Sequence, residues 1–125
     1  MKNRNIIKLS VVALALGGAL LLPRLGVSAD DKAATQTIKG EVVDLMCYLD
    51  HGAKGEKHKG CATKCIKNMG PVGLLTADDQ LYLVIGDHKP ANDMLADKAA
   101  QTVSLKGKVV EKNGMKMIED AELVE

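Results

Sequence analysis

The sequence predicts a mainly β domain: a five-stranded Greek-key barrel with one helix between the third and fourth strands. A Cys- and His-rich, partly helical insert is expected between the first and second strands. Three observations carry this reading. Five segments are rich in β-branched or alternating apolar residues and are bounded by turn signals. Two segments, Ile38-Lys39-Gly40-Glu41-Val42-Val43-Asp44 and Leu105-Lys106-Gly107-Lys108-Val109-Val110-Glu111, echo each other, each with a Gly where a strand can bend to close a barrel. All three Cys and two of the three His fall in one stretch, 47–69, that does not read as strand.

The elements follow in chain order. Residues 1–29 read as a secretory signal peptide. Lys2, Arg4 and Lys8 make a basic start, Leu9–Leu22 is an apolar run of 14 residues, and Val27-Ser28-Ala29 fits the small-residue cleavage rule. The run falls short of the roughly 20 residues of a spanning helix, so the mature domain is not expected to span a membrane. Residues 30–36 are polar and read as a flexible lead, and 37–125 as the folded domain. Thr37–Met46 is the first expected strand and Cys47–Met69 the insert, closed by Gly70-Pro71. Val72–Thr76 and Leu81–Ile85 form a hairpin around Ala77–Gln80. Pro90–Ala100 reads as a short helix, with Pro near its start. Thr102–Glu111 and Met115–Val124 are joined by Lys112-Asn113-Gly114, and Asn-Gly is a strong hairpin signal.

This order of strands and helix is that of an OB-fold barrel, and it covers nearly all of residues 37–125. The runs "GEVVDLMCYLDHG", "HKGCATKC" and "GPVGLLTADDQLYLVIGD", between Gly40 and Asp87, resemble a group of small secreted bacterial OB-fold-like domains of unassigned function that carry a Cys/His-rich insert. The resemblance implies the barrel and an exported protein; it implies no activity, so function must come from the site.

Composition excludes several functions. Aromatic residues make up 2% of the chain, two Tyr with no Phe or Trp, which argues against base stacking on single-stranded nucleic acid. The expected leader carries Lys2, Arg4, Lys8 and Arg24 and no acidic residue. Its removal lowers 17 basic residues to 13 against 16 acidic, a net charge of −3 and a poor match to nucleic acid. No phosphate-binding loop is present, so no nucleotide is expected, and no nucleophile has a credible base, so no enzyme activity is expected. Heme is disfavoured because Cys65 is followed by Ile66 rather than His.

The candidate metal ligands are Cys47, His51, His58, Cys61 and Cys65, all within 19 residues. Cys47 and His51 are four apart, and His58, Cys61 and Cys65 are three and four apart. Two helical turns would therefore present two ligand faces, which Gly52 and Gly55 allow to fold together. Thiolate and imidazole suit copper or zinc, not magnesium or calcium. Cys61-x3-Cys65 with a His also resembles, in ligand set alone, the copper chaperones of respiratory oxidases. Lys54, Lys57, Lys59 and Lys64 are expected to lower the thiol pKa values. Met46 and Met69 are expected in the core, Asp44 and Asp50 on the surface, and His88 in an exposed loop.

The leading expectation is a periplasmic or secreted, non-enzymatic binder of copper or zinc, handing metal to a membrane or periplasmic metalloprotein. Two alternatives stay open: a thiol redox protein, and an OB-like ligand- or protein-binding module whose insert is stapled by a disulfide. OB barrels commonly bind between the loop joining strands 1 and 2 and the loop joining strands 4 and 5. Here those are the insert and the Asn113-Gly114 turn.

Overall fold

The computed structural model of the chain describes residues 34–124. The expected signal peptide lies outside them, as do residues 30–33 of the lead. Strands β1 (Thr35–Asp44), β2 (Val72–Leu75), β3 (Leu81–Val84), β4 (Thr102–Lys112) and β5 (Met115–Val124) close into a barrel in the order β1-β2-β3-β5-β4. All neighbours are antiparallel except β3 and β5, which run parallel, with Leu83 opposite Met117 and Val84 opposite Ile118. This is the five-stranded OB-like barrel the sequence predicts. β1 begins at Thr35, two residues earlier than expected, because Thr35 and Gln36 pair with Lys108 and Gly107.

Helix α1 (Leu45–His51) and helix α2 (Lys59–Lys67), the latter preceded by a 3-10 turn at Glu56–His58, form the insert between β1 and β2. The helix between β3 and β4 is shorter than expected. Helix α3 covers Asn92–Leu95 and continues as a 3-10 turn over Ala96–Lys98, while Pro90 is held in a bridge to Ile85.

The two echoing segments are antiparallel neighbours, with Ile38 opposite Leu105. β1 changes partner at Glu41, pairing with β4 before it and with β2 after it. Gly40 permits this crossing, since a Cβ there would lie 2.6 Å from the carbonyl oxygen of Leu75. The pairing of β4 with β5 shifts register between Lys106 and Lys108, the bulge the second Gly foreshadows. At the β4–β5 hairpin, Asn113 (φ 52°) and Gly114 (φ 82°) both take the left-handed conformation of a tight two-residue turn.

The core is aliphatic: Val42, Leu74, Val84, Leu95, Leu105 and Ile118 fill the barrel and are at most 1% exposed. Ala62 and Ile66 of α2 belong to the same core. The insert is therefore a packed wall of the barrel. Their i,i+4 spacing places them together on one face of α2, away from solvent. Among the described residues, no helix is long and apolar enough to cross a membrane.

Candidate metal centre

Asp44 ends β1 and caps α1. Its Oδ2 accepts the backbone N–H of Cys47 at 3.0 Å, satisfying a donor that the first helical turn leaves without a partner. Asp44 is 1% exposed, so it is buried rather than on the surface as the sequence implied. The reason is its position: an N-cap between two buried residues, Val43 and Leu45, cannot turn to water. Gly52 (φ 70°) terminates α1 by donating to the Tyr48 carbonyl at 2.8 Å. The link then turns at Gly55 (φ 77°), whose N–H donates to Glu41 Oε1 at 2.5 Å and ties the loop to β1.

α2 carries Cys61 and Cys65, with His58 at its N-cap; the three-and-four spacing predicts one face for all three, but Cys65 falls in a different donor group from His58 and Cys61. Its C-terminus is held by Asn92, a buried side chain whose Nδ2 donates at 2.7 Å to the carbonyls of both Ile66 and Gly70. Sequence reasoning missed Asn92, since nothing in its neighbourhood marks a residue that reaches back 26 positions. Gly70 N–H in turn donates to the Cys65 carbonyl at 2.9 Å. A Cβ at Gly70 would lie 2.8 Å from that oxygen, so this close approach requires glycine.

These supports bring donors together in two groups. Cys47 Sγ, a ring nitrogen of His58 and Cys61 Sγ lie within 4.8 Å of one another. A carboxylate oxygen of Asp44, Cys47 Sγ and Cys65 Sγ form a second such set. A tetrahedral ion with bonds of about 2.0–2.3 Å spaces its ligands about 3.3–3.8 Å apart, so small side-chain rotations would close either set around a metal. Asp44 Oδ1 and His58 Nε2 are buried without a hydrogen-bond partner. Buried polar atoms are nearly always paired, and here each group contains one residue with an orphan.

His51 stands apart from both groups. It sits at the exposed end of α1, where Nδ1 lies 3.1 Å from Asp50 Oδ2 and the ring meets His58 edge-on at a centroid distance of 6.0 Å. Met46 and Met69 are exposed, 64% and 66%, not in the core as expected. Met46 follows the buried Leu45 on the outer side of α1, and Met69 takes a left-handed turn (φ 70°) after α2 that points it outward. His88 is exposed, as expected, near Glu119 Oε1 at 3.5 Å.

The electrostatics run opposite to the sequence expectation. A hydrogen bond to the Asp44 carboxylate, then burial, then the negative charge of Asp44, Cys65 and Cys61 push the Cys47 thiol from 9.0 up to about 12. Burial, followed by a hydrogen bond with Cys61, raises Cys65 as well. Lys54 and Lys59 do not offset this, because they face Asp79 and Glu56 at 4.0 and 3.4 Å. All three Cys are free thiols, so no disulfide staples the insert.

The insert and the β4–β5 turn do meet, in a cleft of about 380 Å³ lined by Leu45, Leu49, Leu81, Leu83 and Met115 among others. No donor of the cluster lines it. The apolar cleft and the thiol cluster are thus different places, although OB loop geometry led us to expect them together. No protein-family model, curated protein or solved structure matches the chain. The donor geometry therefore carries the functional argument.

Proposed function

We propose that this protein is an exported binder of soft or borderline metal, copper or zinc, held by Cys47, His58, Cys61 and Cys65. One observation carries the reading: thiol and imidazole donors converge around Cys47, while two polar atoms of the same cluster are buried without partners. Thiolates and imidazole match these ions, and a bound cation would offset the Asp44 hydrogen bond and the burial that now hold Cys47 and Cys65 protonated.

The role is carriage rather than folding. Ala62 and Ile66 anchor α2 in the barrel core through apolar contacts of their own, and Cys61 is exposed to solvent, where an acceptor protein can reach it. Export by residues 1–29, a metalloprotein partner and kinship with the small secreted OB-like domains belong to the same proposal. A thiol redox role is the weaker alternative, because an attacking thiol needs a pKa near ambient pH and two of these thiols are shifted upward.

The test is metal uptake by fully reduced protein in which Cys61 and Cys65 are both replaced by Ser. Wild type should take up copper or zinc stoichiometrically and the double variant should not. Undiminished uptake by the double variant would overturn the assignment.

A further inference from the structure

We propose that the centre holds two divalent ions, with the Cys47 thiolate bridging them. The proposal rests on the metal-binding reading above and goes further in number, charge and ligand set. The donors do not form one shell. His58 and Cys61 gather with Cys47 in one set, Asp44 and Cys65 with Cys47 in the other, and Cys47 is the single residue common to both. Each set also contains one of the residues with an unpartnered buried atom, His58 in the first and Asp44 in the second. A single ion would leave one of them unsatisfied.

Charge favours the same count. Three thiolates and the Asp44 carboxylate carry four negative charges, and Asp44 is 1% exposed. Two divalent ions match those four charges once all three thiols ionise, and the second ion gives the buried Asp44 carboxylate a cationic partner. Binding exchanges the three thiol protons for the ions, so three protons are released and no oxidant or reductant is needed.

Donor chemistry narrows the ion. A carboxylate oxygen beside thiolates suits zinc(II), while copper(I) prefers sulfur and imidazole alone. A thiolate sulfur has lone pairs enough to bind two ions at once. Each ion then has three protein ligands, Cys47/His58/Cys61 or Cys47/Asp44/Cys65. The fourth position is left for water or for a ligand from an acceptor, the open arrangement of an exchangeable site.

The experiment is a titration of fully reduced protein with zinc(II) against a chromophoric chelator, repeated with cobalt(II) as a spectroscopic stand-in. Two equivalents are expected in wild type, with magnetic coupling between the two cobalt ions through the shared sulfur. Asp44→Asn keeps an oxygen for the α1 cap but removes the charged ligand, and it should lower the count from two to one. Cys65→Ser leaves the cap untouched and should do the same, and circular dichroism checks that both variants fold. One equivalent in wild type would overturn the two-ion proposal and leave the single-ion reading standing. No uptake would overturn both. Two equivalents unaffected by either variant would place the second ion elsewhere and also overturn the proposal.

Discussion

Asp44 Oδ2 accepts the backbone N–H of Cys47 at 3.0 Å, so the residue that ends the first strand also fixes the thiol shared by both donor groups. One carboxylate thereby does two things. It closes the helix start, and it holds the adjacent sulfur in its protonated form.

Replacing Asp44 by Ala should cost about 0.5–2 kcal/mol through loss of the cap. Asp44→Asn should recover most of that, since its amide oxygen can accept the same N–H. In both variants the Cys47 thiol should titrate below its wild-type value, because the carboxylate that raises it is gone. Urea unfolding reads the first effect and thiol absorbance against pH the second. A Cys47 titration unchanged in both variants would contradict the assigned cause.

The pH dependence of the metal-free protein has a definite sign. Cys47 binds its proton more tightly in the folded chain, at about 12 against an ordinary 9.0. The folded state therefore holds more protons between these values, and stability falls as pH rises. The contribution is fully present below about pH 9 and is lost as pH climbs toward 12. Metal affinity should move the other way, rising about tenfold per pH unit for each thiol that must ionise. Unfolding curves and metal competition at stepped pH check both slopes, which should be opposite.

Removing a buried contact should unsettle the insert more than removing metal does. Ile66→Ala deletes a fully buried side chain on α2 and should cost about 2–5 kcal/mol in urea unfolding. Asn92→Ala strands the Gly70 carbonyl, at about 1–3 kcal/mol, while the Ile66 carbonyl keeps the Met69 N–H. Hydrogen exchange on metal-free, reduced protein should show α2 protected. Rapid exchange throughout residues 59–67 would mean the metal, not the core, orders this helix.

The two insert histidines should separate cleanly. His58→Ala should weaken zinc or copper binding at least tenfold, because it removes a donor from the Cys47/Cys61 set. His51→Ala should change affinity less than twofold, since that ring faces Asp50 at the solvent edge. Equal losses in a competition assay would show that His51 moves into the site when metal binds.

Much of the molecule is legible in the chain itself, for a local reason. Alternating and β-branched runs fix the strands, and Asn113-Gly114 fixes its hairpin because few residues tolerate two left-handed conformations in succession. The echo around Gly40 and Gly107 marks two strands that prove to be antiparallel neighbours. The spacing of His58, Cys61 and Cys65 marks the donors of α2 and its start, although the fold divides them, His58 and Cys61 in one set and Cys65 in the other. The inner face of α2 was readable too: Ala62 and Ile66 are four apart, a signal overshadowed by the Gly and Lys around them.

Only the tertiary structure decided which of these residues act together. It buried Asp44 beside Cys47 and turned Met46 and Met69 to solvent. It joined His58 rather than His51 to the thiols, and it brought Asn92 back to the end of α2. Each outcome depends on what lies across the fold from a residue, which sequence spacing does not encode. Burial then reverses the local expectation for charge. Lys54, Lys57 and Lys64, near the cysteines in sequence, are exposed to water, where their fields are screened, while one buried carboxylate at short range keeps Cys47 protonated.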